Sequence, residues 1–483
     1  MFQTLKNAWK IPELRNKLLF TLMIIILYRL GSSIPMPWIN PEILDSTFQT
    51  AMNSGALAWL NVMSGGALAQ ATLFALSVSP YITASIVIQL LTIAIPKFEE
   101  WAKEGESGKK KLSAITRGLT VLLAFVTAIG YTMFLEFQGM MVYRPLDASG
   151  HLVELAEGWE HWEAWLVRVV LVLVYCAGAS VIMWLAERIN EKGIGNGISI
   201  ILFANILARL PAIANSLYVR CFANEQTMIQ SGYKTGLATL FKDVENGLVW
   251  QIILGIVLCL LFVAILLLAT VAVIWFSNSE RRIPVQYAKR VVGRKMYGGQ
   301  STTLPIKLDM AGVMPVIFAS SIVSILPTVA GFIRDDAWDW LVACRDVIND
   351  YLGYTSFPYI ALQIILIVAF AYFYIAISFN PVEVSNNLRN NGGAIPGIRP
   401  GKPTVDYIKK ILNRITLLGA IFLCFLSGLP MIVNAIWFAI DGVGINDLAF
   451  GGTSLLIVVG VALETFRELE AQMTLRNYKG FLD

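Results

Sequence analysis

Long apolar runs separated by short polar connections dominate the chain. Ten of these runs have roughly the 18 or more residues that a helix needs to cross a membrane. They lie approximately at 18–34, 72–95, 116–137, 165–186, 197–217, 248–276, 311–333, 358–378, 411–437 and 452–466. The pattern therefore predicts an all-α membrane protein with ten transmembrane helices.

The stretch 57–96 is too long and too interrupted to be a single span. A Ser-Gly-Gly and then a Ser-Pro break its apolar run. We interpret it as a short helix over 57–71 followed by a spanning helix over 72–95, with Pro80 in the outer part of the second. Lipid offers no partners for free backbone groups, so a helix too short to span must lie in a cavity lined by protein.

An internal repeat divides the chain into two halves of five spans each. The segment 80–85 (PYITAS) matches 315–320 (PVIFAS) at an offset of 235 residues, although so short an apolar motif also matches by chance. Because five is odd, the halves 1–247 and 248–483 enter the membrane from opposite faces. Inverted halves of this kind place the functional site at their interface, near the bilayer midplane.

Composition and charge agree with a membrane protein and set its orientation. Hydrophobic residues make up 56% of the chain and charged residues only 14%. Of the 37 Lys and Arg residues, 28 lie in the two terminal segments and in alternate loops, and such an excess marks the cytoplasmic side. Both termini are therefore predicted to be cytoplasmic. In the outside loops, Cys221 and Cys344 either pair or stay free.

The predicted spans contain little that could do chemistry. Ionisable residues are nearly absent from their centres, which argues against a proton- or ion-coupled carrier. The two histidines, His151 and His161, lie in one outside loop, and no catalytic or metal-ligand motif accompanies them. The sequence thus predicts no catalytic residue, metal or cofactor. An apolar constriction resists ions by dewetting, yet it can open around a chemically varied passenger such as an unfolded polypeptide.

Two basic loops on the predicted cytoplasmic side, 278–310 and 380–410, are too long to be simple connections. In the first, Ile283, Val285 and Tyr287 alternate with polar residues, which predicts a short exposed ribbon. Such loops could bind anionic lipid headgroups, an acidic protein or ribosomal RNA. Their ordered character favours a macromolecular partner.

Several longer passages carry a specific resemblance. They are SGGALAQATLFALSVSPYITASIVIQLL, KEGESGKKKLS, EKGIGNGISIILF, RRIPVQYAKRVVGRKMYGGQSTTLPIKLDMAGVMPVIFASSI, NPVEVSNNLRNNGGAIPGIRPGKPT and FGGTSLLIVVGVALE. They cover nearly the whole chain in the expected order. On these passages the chain resembles the SecY family, the channel subunits of the bacterial Sec protein translocon.

The resemblance implies two inverted five-helix halves around an hourglass pore, with a short re-entrant plug helix at about 57–70. The aliphatic ring of the family's pore carries over to Val78, Ile82, Ile198, Leu202, Ile317 and Ile457. The plug includes Leu60, Asn61, Ser64, Gly65 and Gly66. A lateral gate between spans two and three on one side and spans seven and eight on the other would release signal sequences and transmembrane segments into lipid.

The resemblance also implies partners and a location. The loop arginine by which the family engages the SecA ATPase or the ribosome corresponds to Arg399, and the companion loop contributes Arg281, Arg282, Lys289 and Arg290. Further expected partners are SecE and SecG subunits, signal peptides, unfolded preproteins and membrane lipids. The expected location is the bacterial plasma (inner) membrane. SecA and the ribosome stay alternatives as the main partner.

These observations predict a passive protein-conducting channel that draws its energy from SecA, the ribosome or the proton-motive force. The alternative is an inverted-repeat secondary transporter of an apolar solute, which would need a substrate pocket and usually a coupling-ion site. A third reading is a membrane insertase that works only through the lateral gate.

Overall fold

The structure is a computed structural model. It describes residues 2–40, 61, 63–145, 156, 159–222, 247–287, 290–292, 295–297, 301–331, 333, 338–352, 356–441 and 452–479. The helices before residue 247 are α1 (Phe2–Lys10), α2 (Pro12–Ser32), α3 (Ser79–Ala94), α4 (Pro96–Lys103), α5 (Glu106–Phe137), α6 (His161–Lys192), α7 (Gly197–Ala208) and α8 (Leu210–Phe222). Those after it are α9 (Gly247–Asn278), α10 (Met314–Gly331), α11 (Asp339–Leu352), α12 (Phe357–Ser378), α13 (Pro381–Asn390), α14 (Lys402–Asp441) and α15 (Gly452–Lys479).

Each of the ten predicted spans overlaps a helix, and the fifth overlaps two. The matching helices are α2, α3, α5, α6, α7 with α8, α9, α10, α12, α14 and α15. Five helices in the described part of the chain are by themselves long and apolar enough to cross a membrane. The pair α3 and α4, bent by 102°, makes a sixth if it is one span. The prediction of an all-α membrane protein is therefore confirmed.

The predicted plug segment is helical over a shorter range than 57–71. Residues 41–60 and 62 lie outside the described part of the chain, and the described helical residues end at Ser64. Gly65 (φ 68°) and Gly66 (φ 92°) then occupy the left-handed region, which a right-handed helix cannot contain. The helix therefore stops at the Ser-Gly-Gly, and the prediction that it runs to residue 71 is wrong.

The second span also begins later than predicted. The prediction placed its helix over 72–95, but the chain runs as turns until α3 begins at Ser79. Ala71 (φ 44°) and Ser77 (φ 52°) are in the left-handed region, which prevents a continuous helix through this stretch. Pro80 consequently lies in the first turn of α3, where its missing N–H leaves no hydrogen bond unmade.

Two helices from opposite halves of the chain match in position and pack together. The starts of α3 and α10 are 235 residues apart, and each has a proline as its second residue. The two helices contact each other. The sequence offset of 235 residues is therefore repeated in the positions at which the two helices start.

A single large hydrophobic cluster joins the two halves. Its buried members come from α2, α3, α6 and α7 on one side and from α9, α10, α12, α14 and α15 on the other. Away from the contact between α3 and α10, α7 packs on α15 and α8 packs on α9. The chain ends meet as well, since Ala8, Leu14 and Leu469 share a smaller cluster.

One charged side chain is buried within the described residues, the carboxylate of Glu136 at the end of α5. It accepts hydrogen bonds from Arg144 Nη1 at 2.8 Å and from Arg168 Nη2 at 2.5 Å. Arg168 belongs to α6, and Arg144 belongs to a hairpin of β1 (Met140–Met141) and β2 (Arg144–Pro145). A buried charge needs such partners, and this one fixes the hairpin to two helices.

A small sheet joins the two long basic loops. Strand β3 (Glu280–Tyr287) pairs in antiparallel fashion with β6 (Ser301–Lys307) and with β7 (Gly393–Ala394). The predicted ribbon is present, but Ile283 and Val285 of β3 are buried, so one of its faces is covered and not exposed. The first loop adds a second ribbon of β4 (Arg290–Val292) and β5 (Lys295–Tyr297). The two loops therefore form one folded unit instead of two separate projections.

Candidate functional site

The six residues predicted to form an aliphatic ring all belong to or pack against the large hydrophobic cluster. Val78 directly precedes α3, and Ile82 lies in its first turn. Ile198 and Leu202 lie on α7, Ile317 on α10 and Ile457 on α15. Five of them are buried members of the cluster, and Ile198 packs against it half-buried. The structure thus brings aliphatic side chains from both halves into one largely buried region.

Local hydrogen bonds set the position of α7, which carries two of the ring residues. Asn196 caps the helix, and its Oδ1 accepts from the Ile198 amide at 3.1 Å. Asn190 Oδ1 accepts from the Gly197 amide at 2.7 Å. A Cβ on Gly197 would lie 2.0 Å from the carbonyl oxygen of Ala186, so only glycine allows α7 to approach α6 this closely. The GIGNG motif therefore fixes where α7 begins and how closely it packs on α6.

The described plug residues form a compact polar turn. Asn61 Oδ1 accepts from the Ala69 amide, and the Asn61 carbonyl accepts from the Gly66 amide at 3.0 Å. Ser64 Oγ accepts from the Leu68 amide at 3.1 Å. Leu60, the remaining predicted plug residue, lies outside the described part of the chain. These hydrogen bonds replace the backbone hydrogen bonds of a helix. They satisfy backbone groups inside the protein where there is no helix or strand.

Polar side chains from neighbouring elements hold this turn in place. Met63 is a buried member of the same hydrophobic cluster as the ring residues. Its carbonyl oxygen accepts from Asn205 Nδ2 of α7 at 2.7 Å and from Ser77 Oγ at 3.1 Å. Arg29 of α2 donates to the Ala204 carbonyl at 2.5 Å, and a Cβ on Gly65 would lie 3.0 Å from its Nη2. We call Ser77 and Asn205, which both donate to the Met63 carbonyl, the plug anchor.

Sequence reasoning did not identify the plug anchor as functional. Asn205 is the one polar side chain in the aliphatic run ILFANILA, and it is fully buried. A buried amide in such a run needs a partner, so this signal was available. The partner of Asn205 could not be inferred, because Met63 lies 142 residues away in the chain.

The structure describes three of the five predicted partner-binding residues in full. Arg281 and Arg282 are exposed on β3, and Arg282 Nε donates to Glu280 Oε1 at 2.6 Å. Arg399 is exposed in the turn that follows β7. Arg290 is in β4, but its side chain, like all of Lys289, lies outside the described part. Because β3 and β7 are adjacent strands, Arg281 and Arg282 lie on the same small sheet that the turn with Arg399 follows.

A half-buried carboxyl joins this loop region to the helix bundle. Asp309, between β6 and α10, accepts from Ser277 Oγ at 3.0 Å. Burial raises the pKa of the Asp309 carboxyl, and the hydrogen bond from Ser277 opposes that shift. Arg467 of α15 donates to the Ser277 carbonyl at 2.6 Å and to Asn278 Oδ1 at 2.9 Å. The ends of α9 and β6 are thereby tied to the middle of α15.

Comparison with known proteins gives a consistent result. A family model described as SecY matches residues 72–466. The protein translocase subunit SecY of Halalkalibacterium halodurans is 42% identical over the full length of both chains. The subunits of Streptomyces coelicolor (40%) and Mycobacterium tuberculosis (38%) are also similar over the full length of both chains.

Solved structures show the same fold at lower sequence identity. A structure described as a protein conducting channel has a TM-score of 0.54 and 17% identity, and the match covers 95% of this chain and 92% of that one. A SecY structure described for its plug domain, which stabilises the closed state, has a TM-score of 0.55, 17% identity and the same coverage. These likenesses support the all-α membrane fold.

Proposed function

The chain belongs to the SecY family, and from this premise we propose that it is the protein-conducting subunit of a translocase. It would pass unfolded polypeptides across the membrane and release apolar segments sideways into lipid. The observation that carries the proposal is the large hydrophobic cluster, to which both halves contribute and of which Met63 of the plug segment is a buried member. The names of the relatives favour a channel over a solute carrier and over an enzyme.

The six ring residues, Val78, Ile82, Ile198, Leu202, Ile317 and Ile457, act in this proposal as the seal. Aliphatic side chains offer no group that could replace the hydration shell of an ion, so the closed constriction excludes ions by dewetting. A polypeptide passes because the ring makes no specific bond that would select one side chain over another. The plug segment covers the ring, and the plug anchor holds it there.

Opening occurs in this proposal at the contact between α3 and α10. The elements α3 and α5 form one side of the lateral gate, and α10 and α12 form the other. The halves also meet where α7 packs on α15 and α8 on α9, and these contacts act as the hinge. The halves 1–247 and 248–483 then move as two bodies. Parting the gate exposes the cluster to lipid and to the passing chain.

Crosslinking of an arrested secretory chain tests the channel function. Single cysteines at Ile82 and Ile317, in a background free of the native cysteines, are expected to crosslink to a chain stalled in transit. A cysteine at Leu268, which is exposed on α9, serves as the lipid-facing control and is expected to give little product. Equal labelling at all three positions, or labelling at Leu268 alone, would contradict a central path through the ring.

We further propose that both termini and the basic sheet face the cytoplasm of a bacterium, in its plasma membrane. The sheet would bind a SecA-type ATPase or the ribosome through Arg281, Arg282, Lys289, Arg290 and Arg399. Support comes from the charge asymmetry of the sequence and from relatives of bacterial origin. A structurally similar Sec61 channel is described in a ribosome complex, with a TM-score of 0.51 and 16% identity. Subunits of the SecE and SecG type complete the proposed assembly.

Charge reversal tests the orientation and the partner together. Vesicles with the cytoplasmic face outward are expected to bind ribosomes or the motor ATPase, and vesicles of opposite orientation are not. Arg399→Glu should weaken binding several-fold and make the remainder less sensitive to salt, because a basic contact becomes repulsive. Arg414→Glu on α14 makes the same charge change at another exposed position. If both variants bind alike, Arg399 has no special part in the contact.

A further inference from the structure

A cavity of about 370 Å³ lies at the start of α6, away from the ring and the basic sheet. Five residues line it: Trp159, Trp162, Glu163, Leu166 and Val167. Two indole rings, one carboxylate and two aliphatic side chains thus surround one space. We call it the indole cavity.

The chemistry of the indole cavity selects a cation. Indole faces attract an ammonium group through the quadrupole of the ring, and a neighbouring carboxylate adds to that attraction. Trp162 Nε1 donates to Glu160 Oε2 at 2.5 Å, so the polar edge of this ring is already engaged. Among the described residues, no lysine or arginine pairs with Glu163. Its Oε2 accepts from the Glu160 amide at 3.3 Å, and its negative charge is not paired with a cation of the described residues.

Contacts with neighbouring residues fix Trp159 and Glu163 in the lining of the indole cavity. The Trp159 ring lies 5.7 Å from that of Tyr143, which is fully buried in the hairpin that Arg144 and Glu136 fix to the bundle. Glu163, also in the lining, forms a capping box with Glu160 at the start of α6. Trp159 and Glu163 are thus positioned before any ligand binds, which lowers the entropic cost of binding.

An apolar stripe leads away from the indole cavity along α6. Trp162, Leu166, Val169 and Leu173 follow one another at helical spacing, and all four are exposed. Trp165, beside them, is exposed as well. Exposed indoles at the start of a spanning helix mark the level of the lipid headgroups, and exposed aliphatic residues below them face acyl chains. The cavity therefore opens toward lipid at headgroup depth.

We propose that the indole cavity binds the ammonium headgroup of an amine-bearing phospholipid, with an acyl chain along the stripe below it. An ethanolamine phospholipid combines a primary ammonium with an apolar tail in the order in which the cavity and the stripe occur. A glycerol phospholipid has the tail but no cation. The orientation proposed above places this lipid in the outer leaflet, but the recognition itself does not depend on that orientation.

Lipid retention measured by native mass spectrometry tests the proposal. The full chain is released from micelles that contain ethanolamine and glycerol phospholipids with identical acyl chains. The wild type is expected to retain one ethanolamine lipid in preference. Trp162→Ala and Glu163→Gln are each expected to lower that retention about threefold or more, because each removes one cation contact. Glutamine also serves in a capping box, so Glu163→Gln keeps the helix start.

Trp165→Ala is the matched control, because it removes an exposed indole on the same turn that does not line the cavity. It should retain the ethanolamine lipid as the wild type does. A choline phospholipid should also be retained, since a quaternary ammonium still binds indole faces. Unchanged retention in both cavity variants, or an equal loss in Trp165→Ala, would overturn the proposal. Crosslinking of a basic peptide into the cavity, without lipid selectivity, would assign it to a protein partner instead. Translocation is not part of this readout.

Discussion

Replacement of both Ile82 and Ile317 by glycine is expected to make the resting protein conduct small ions. The two residues lie on α3 and α10, the helices that meet between the halves, and both are buried in the shared cluster. Glycine removes the aliphatic surface that keeps the constriction dry, so water and ions can enter. Ion flux into proteoliposomes, measured without a translocating chain, should rise several-fold over the wild type.

The control is a matched pair of glycines on the same two helices. Ile93 of α3 and Leu326 of α10 are exposed, so Ile93→Gly with Leu326→Gly has the same cost in helix propensity without touching the cluster. This pair should stay tight to ions. A solute carrier would respond differently, since loss of its apolar site would abolish transport without opening a leak. Absence of a leak in the Ile82 and Ile317 variant would place the seal elsewhere.

Asn205→Ala is expected to loosen the plug segment without altering the ring. The substitution removes the 2.7 Å hydrogen bond to the Met63 carbonyl and leaves that buried acceptor with Ser77 as its described side-chain donor. A lost hydrogen bond of this kind costs about 1 kcal/mol, which corresponds to an about fivefold shift toward the displaced plug. A cysteine at Met63 should become correspondingly more reactive toward a polar thiol reagent.

Ser199→Ala provides the comparison for Asn205→Ala. Ser199 is also a buried polar residue of α7, but it makes no described contact with the plug segment. The thiol at position 63 should react at the wild-type rate in this variant. Double replacement of Ser77 and Asn205 should exceed either single change, because both donate to the same carbonyl. Equal reactivity in wild type and Asn205→Ala would show that the anchor does not hold the plug.

Periodicity and length predicted the helices of this protein well, because a membrane permits few alternatives to a long apolar helix. The family resemblance, and not periodicity, assigned the six ring residues. Five of them lie on helices that the structure packs together, and Val78 directly precedes one of these helices. Their role as a seal stays a prediction, as do the boundary between the halves and the orientation.

The stretch between Ser64 and Ser79 could not be predicted in the same way. Ala71 and Ser77 adopt left-handed backbone there, although neither residue type signals it. Side chains from distant elements stabilise that backbone, as when the Tyr131 hydroxyl donates to the Leu68 carbonyl at 2.6 Å. Such contacts depend on the tertiary arrangement, which residue spacing along a chain does not reveal.

The sheet formed by the two basic loops has a mechanical consequence. Strands β3 and β6 lie between α9 and α10, and β7 lies between α13 and α14, so every strand belongs to the second half of the chain. A motor protein bound to this sheet would therefore contact the second half alone, and could move that half relative to the first.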